Sequence, residues 1–216
     1  MGWGTDMPQA SDRLRETPSQ TAGPYLHIGL APSLAGIAGV YPADPGGVIA
    51  GPETPGQRLR IEGRVFDGDG GLVRDALIET WQADANGIYN ALLDPRRGRC
   101  AADFCGWGRC ATDLDSGTFA FETIKPGPVP GPRDSMMAPH ICLWIVARGI
   151  NLGLSTRLYF PEEESANAAD PVLQRIENPA RRDTLIAQSS EPRDGLSVYR
   201  FDIRLQGEGE TVFFAT

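Results

Sequence analysis

From Arg58 the chain alternates. Leu59, Ile61, Gly63 and Val65 share one side, while Arg58, Arg60, Glu62 and Arg64 share the other. Successive side chains of an extended chain point to opposite faces, so this period of two predicts a half-buried strand. Asp67-Gly68-Asp69-Gly70-Gly71 then supplies turn chemistry. Ala76 to Gln82 reads as the next strand, closed by Asp84-Ala85-Asn86-Gly87. Thr118 to Ile124 places Phe119, Phe121 and Thr123 on one face. Ile141 to Ala147 is apolar throughout, which predicts a central strand buried on both faces. Trp81 and Trp144 lie on such strands and are predicted as core. Leu154 to Phe160 alternates again, and Tyr199, Phe201, Ile203 and Leu205 oppose Arg200, Asp202 and Arg204. One helix is expected from Ala180 to Gln188, with Asn178 as its cap and Pro179 in its first turn. A second, short one is expected within 166–176. Short strands joined by Gly-rich turns predict an all-β fold, a β-sandwich with short helices.

Residues 1–57 read as an N-terminal arm and interface segment, rich in turn signals such as Gly51-Pro52-Glu53-Thr54-Pro55-Gly56. Within it, Pro24-Tyr25-Leu26-His27-Ile28-Gly29-Leu30 is too apolar for a free tail and predicts an ordered, packed arm. His27 is expected to be hydrogen-bonded in an interface or core. Residues 58–216 form the sandwich, with a short C-terminal helical insertion, and the whole is one domain.

Charge narrows the function. Lys and Arg total 20 against 28 Asp and Glu, a net charge of −8. So acidic a chain lacks the basic stripe that phosphate backbones require, and nucleic acid is excluded as a partner. No apolar run approaches the ~20 residues of a membrane helix. Met1-Gly2-Trp3-Gly4 has no basic start followed by an apolar stretch, so a cytoplasmic location is expected. Phosphate-binding Gly-rich loops and the Gly-x-Ser-x-Gly elbow are absent from the sequence. Two histidines, His27 and His140, exclude any site needing three. Cys100, Cys105 and Cys110 are spaced C-x4-C-x4-C, not the usual tight knuckle paired with another; one reading is a metal site from three or four of the cysteines, and the preferred one is reduced thiols in a loop, with Cys142 in a core strand. Glu162-Glu163-Glu164 reads as a solvated loop or helix start.

Four segments remain: Ser19-Gln20-Thr21-Ala22-Gly23-Pro24-Tyr25, Glu79 to Tyr89 with its Asp84-Ala85-Asn86-Gly87 turn, Ile124-Lys125-Pro126-Gly127-Pro128, and Ala138-Pro139-His140-Ile141-Cys142. In this order they resemble the intradiol ring-cleaving dioxygenase family, from Glu16 nearly to Thr216. The resemblance implies a β-sandwich and, in the catalytic type, a non-haem ferric ion held by two tyrosines and two histidines. Here the first tyrosine is Tyr89 and the first histidine His140, but Val129 stands for the second tyrosine and Cys142 for the second histidine. The arginine three residues before the first histidine is Met137. One phenolate and one imidazole do not make a ferric site, and a thiolate is a soft donor where hard ones are used.

The resemblance therefore implies no catalytic residue and no metal in this chain. Tyr89 and His140 are expected to satisfy each other or the backbone. The chain becomes the iron-free subunit of a two-chain enzyme, in which a homologous β subunit holds Fe(III). That enzyme opens 3,4-dihydroxybenzoate with O2 to 3-carboxy-cis,cis-muconate. The resemblance further implies that Thr21, Gly23 and Pro24 wall the pocket for the aromatic acid substrate at the interface, that Arg148 faces its carboxylate, and that the two chains form a larger oligomer. Two alternatives stand beside this: a stand-alone metalloprotein using Tyr89, His140 and Cys142, and a non-catalytic interaction module.

Overall fold

The structure, a computed structural model, describes residues 21–23 and 25–215. Pro24 lies outside the described residues, as does the part of the predicted arm before Thr21.

Two sheets face each other across one core. In the first, β1 (Arg58–Phe66) is the spine, and β4 (Thr118–Ile124) runs antiparallel along one edge. The other edge is shared: β10 (Leu196–Arg200) pairs in parallel with residues 59–62 and β11 (Ile203–Arg204) with residues 65–66. β9 (Gln188–Arg193) lies antiparallel on β10. The second sheet is antiparallel, in the order β3 (Trp107–Ala111), β2 (Leu77–Trp81), β7 (His140–Val146), β8 (Leu154–Tyr159). The alternation of β1 does what it predicts: Leu59, Ile61 and Val65 are buried, and with Phe119 and Phe121 they meet Ile78, Leu143, Ile145 and Leu158 of the facing sheet. A two-residue hairpin, β5 (Val129–Pro130) with β6 (Met136–Met137), sits beside the start of β7.

Several predicted elements shift. The apolar face Tyr199–Leu205 is not one strand, because the chain breaks at Phe201–Asp202, where Asp202 Oδ1 accepts the Arg64 amide at 3.1 Å. The predicted 180–188 helix stops early: α3 spans Pro179–Asp183, and Leu185 and Ala187 then bond the Tyr159 backbone at 2.9 Å. Within 166–176, α2 (Glu164–Ala169) ends at Asp170, which precedes Pro171 and is extended as that position favours. β3 and β9 carry no alternation that sequence reasoning could use, and β9 is exposed at every residue.

The run Ile141–Ala147 turns Ile141, Leu143 and Ile145 inward, so its even-numbered side chains face outward. Trp144 is therefore 39% exposed, and neither it nor half-buried Trp81 is core. The arm covers one end of this outer face. Helix α1 (Tyr25–Leu30) and the turn after it lay Leu26, Leu30 and Leu34 on Leu77, Ala111 and Val146.

Candidate functional site

Two places collect the residues singled out in the sequence. At the first, the chain leaves β2 through a tight turn in which Asp84 Oδ1 accepts the amides of Asn86 and Ile88, both at 2.9 Å. Gly87 has φ +70°, and a Cβ there would lie 1.9 Å from the Pro128 carbonyl oxygen. Glycine thus lets this turn press on the segment leading into Val129. Asp94 accepts the Tyr89 amide at 3.1 Å and is itself held by Arg96 at 2.9 Å. Tyr89 stacks on Trp81, with centroids 5.9 Å apart and planes 2° from parallel. Burial raises its phenol to about 12. His140 is buried, its Nδ1 lies 2.7 Å from the Ala138 carbonyl, and its Nε2 has no partner among the described residues. Of the two partners expected for it, His140 takes the backbone, while Tyr89 stacks on Trp81.

Cys142 lies two residues along β7, in register with Arg157 on β8. Sequence reasoning missed Arg157, whose position in an ordinary alternating strand gives no signal. Its guanidinium contacts Met137 Sδ and the Tyr159 hydroxyl, both at 3.4 Å. Its field also reaches Tyr89, His140 and Cys142. A fixed cation thus stands among the remaining ligand positions, while Val129 is buried in the β5–β6 hairpin with no lone pair to offer. A ferric ion does not fit this donor set. Among the described residues no group of three or more His, Cys, Asp or Glu is placed to hold a metal. Cys100, Cys105, Cys110 and Cys142 are free thiols, and burial raises Cys110 to about 12.

Burial first, and Arg157 second, lower the His140 imidazole to about 4, against the raising influence of the Ala138 carbonyl and Asp170. A depressed histidine stabilises the fold above its unfolded value of about 6.5 and loses that contribution as pH falls. Stability is expected to drop by about 2 kcal/mol between about pH 7.5 and pH 5, where few carboxylates titrate. Urea midpoints at the two pH values measure this, and His140→Gln should remove most of the slope. The rest belongs to His27, also lowered, mainly by desolvation.

The second place joins the arm to the sandwich. Thr21 Oγ1 accepts the Gly149 amide at 2.7 Å, and Arg148 pairs with Asp75, a residue the sequence did not flag. Gly23, His27, Asp75 and Arg148 line one cavity of about 250 Å³. Thr21, Gly23 and Arg148 are therefore brought together. His27 departs from expectation, because its buried Nε2 has no hydrogen-bond partner among the described residues. The acidic run is the expected exposed helix start, with Glu164 the first residue of α2, and it also makes specific contacts. Glu162 and Glu163 hold Lys125 Nζ at 2.7 and 2.6 Å, and Tyr199 donates to Glu162 at 2.5 Å.

Residues 43–207 match the model of a dioxygenase family. The chain belongs to that family, and its fold is a β-sandwich of the intradiol dioxygenase type. It is 51% identical over 201 residues to the protocatechuate 3,4-dioxygenase alpha chain of Pseudomonas putida, covering 93% of this chain and 96% of that one. It is 37% identical over 164 residues to the protocatechuate 3,4-dioxygenase beta chain of Burkholderia cepacia, covering 74% and 68%. Among solved structures, the dioxygenase domain of a carbohydrate-binding fusion from Streptomyces sp. SirexAA-E matches 77% of this chain and 88% of its own, at 26% identity and a TM-score of 0.52.

Proposed function

We propose that this chain is the α subunit of a two-chain protocatechuate 3,4-dioxygenase. The observation that carries the reading is a whole family fold around a ligand set that has lost two donors, Val129 and Cys142 standing in their places, and gained the Arg157 cation. Similarity to both an alpha and a beta chain supports a heteromeric partnership. The homologous β subunit holds Fe(III), which supplies the oxygen chemistry. The bond between the two hydroxyl-bearing carbons of 3,4-dihydroxybenzoate breaks, both atoms of O2 enter the product, and 3-carboxy-cis,cis-muconate forms.

This chain's part is to shape the pocket. Asp75 orients Arg148, which stays largely exposed and so can offer further donors to the substrate carboxylate across the interface. Thr21, bonded to the Gly149 amide, ties the arm beside it. A Cβ on Gly23 would meet nothing within 4 Å, so that stretch of arm leaves room for a neighbour's surface. Pro24, outside the described residues, is assigned to the same wall by the family resemblance alone. Cytoplasmic location and a larger α/β oligomer belong to the same reading. The free thiols are compatible with a reducing compartment, and no helix among the described residues is long and apolar enough to cross a membrane.

The test is Arg148→Ala in the assembled two-chain enzyme. KM for the aromatic acid is expected to rise about tenfold or more, as for a lost charge-assisted hydrogen bond, with kcat and complex mass little changed. An unchanged KM removes Arg148 from the pocket.

A further inference from the structure

The outer face of the β3-β2-β7-β8 sheet carries two registered rows of side chains. Trp107, Trp81, Cys142 and Arg157 form one row; Arg109, Glu79, Trp144 and Ser155 form the next. Phe214, whose amide donates to the Ser155 carbonyl at 2.8 Å, closes one side. Between them lies a cavity of about 460 Å³, well within the size of small-molecule sites.

Its walls are aromatic and its charge is positive. Trp81, Trp107, Trp144 and Phe214 supply π faces, and the Arg157 guanidinium stands 6.0 Å from the Phe214 ring centroid. Arg157 is half-buried, yet no carboxylate forms an ion pair with it among the described residues. Asp170, whose field reaches it, is committed elsewhere: its oxygens accept the amides of Ala138, Val172 and Leu173 and the Tyr159 hydroxyl. Glu79, the acid in the wall, is neutralised by Arg109 at 2.7 Å. Arg175 adds a second cation at the cavity edge. A partly desolvated guanidinium without an anion is an incomplete interaction, and a carboxylate completes it with two parallel hydrogen bonds. A flat ring attached to that carboxylate would stack on the indoles.

We infer that this cavity binds a planar aromatic carboxylate, with Arg157 as its anchor. The site lies wholly on this chain, needs no iron, and is separate from the arm cavity around Arg148. It goes beyond the subunit reading, because a chain that only shapes a partner's pocket needs no ligand of its own.

The full-length chain, without partner, is titrated with 3,4-dihydroxybenzoate by calorimetry and tryptophan fluorescence. One equivalent is expected to bind. Catechol, which lacks the carboxylate, and cyclohexanecarboxylate, which lacks the π face, are each expected to bind at least about tenfold more weakly. Arg157→Met should weaken 3,4-dihydroxybenzoate by at least about tenfold. Should Arg157→Met fail to fold, Trp144→Leu removes a half-exposed wall and is expected to weaken binding several-fold. Absence of binding at millimolar ligand, equal affinity for catechol, or unchanged affinity in the variant that folds overturns the site. The titration uses no second chain, so its failure leaves the two-chain enzyme standing, and failure to assemble that enzyme leaves this site standing.

Discussion

Oxygen uptake with 3,4-dihydroxybenzoate is expected to be absent from this chain alone and to appear when it is co-expressed with a homologous chain carrying two tyrosine and two histidine ligands. The reason is the donor set. Val129 is buried and offers no lone pair, and Cys142 lies opposite a guanidinium on the neighbouring strand. At separations of a few ångströms, a fixed positive charge opposes a trivalent cation by several kcal/mol even at an effective dielectric near 20. The remaining phenol and imidazole do not offset that. The co-purified pair should contain one iron per partner chain and exceed the single chain's rate by at least about a thousandfold, a low floor for enzymatic acceleration. Both are read directly, by metal analysis and an oxygen electrode. Ring opening by an iron-loaded preparation of this chain alone would sink the subunit reading, and so would an active partner that gains nothing from this chain.

Gly63→Ala is expected to cost about 3–5 kcal/mol, among the largest effects of a single methyl group. Along β1, the parallel partner changes from β10 to β11 just past this residue. There the chain at Phe201 crosses so closely that a Cβ on Gly63 would lie 2.0 Å from the Phe201 carbonyl oxygen and 2.9 Å from Phe119 Cζ. The obstructing atom is backbone, and Phe201 is held by the hydrogen bond its N–H donates to the Glu62 carbonyl at 2.9 Å. Relief requires moving the junction between two strands. Against a typical domain stability of 5–15 kcal/mol, the loss should lower Tm by about 10 °C. Thermal and denaturant unfolding measure it, and a shift of only a degree or two would show that the crossover relaxes freely. In the sequence, Gly63 is simply one more inward position of an alternating strand.

That contrast recurs. The alternation of 58–66 and 118–124 locates β1 and β4 because side-chain direction in a strand is set by neighbouring residues alone. β9, exposed at every position, gives no such signal, since among the described residues neither of its faces is buried enough to select apolar side chains. The apolar run at Ile141–Ala147 locates β7 but not what covers it, so Trp144 looks like core until the uncovered outer face is seen. The lost ligands were legible as residue identities. Arg157 was not, because only the pairing of β8 with β7 carries it to Cys142.

By itself the sequence determined the strands with a clear hydrophobic pattern, such as β1, β4 and β7, the family, and the absence of two of four iron donors, all of which depend on residue type and short-range order. The tertiary structure decided which distant residues meet. Packing of Leu26, Leu30 and Leu34 on one sheet end brings Thr21 to Gly149. Strand register sets Trp81, Cys142 and Arg157 in one line. Such meetings follow from how the sheets pair and what the arm buries, a balance of long-range contacts that no local stretch encodes.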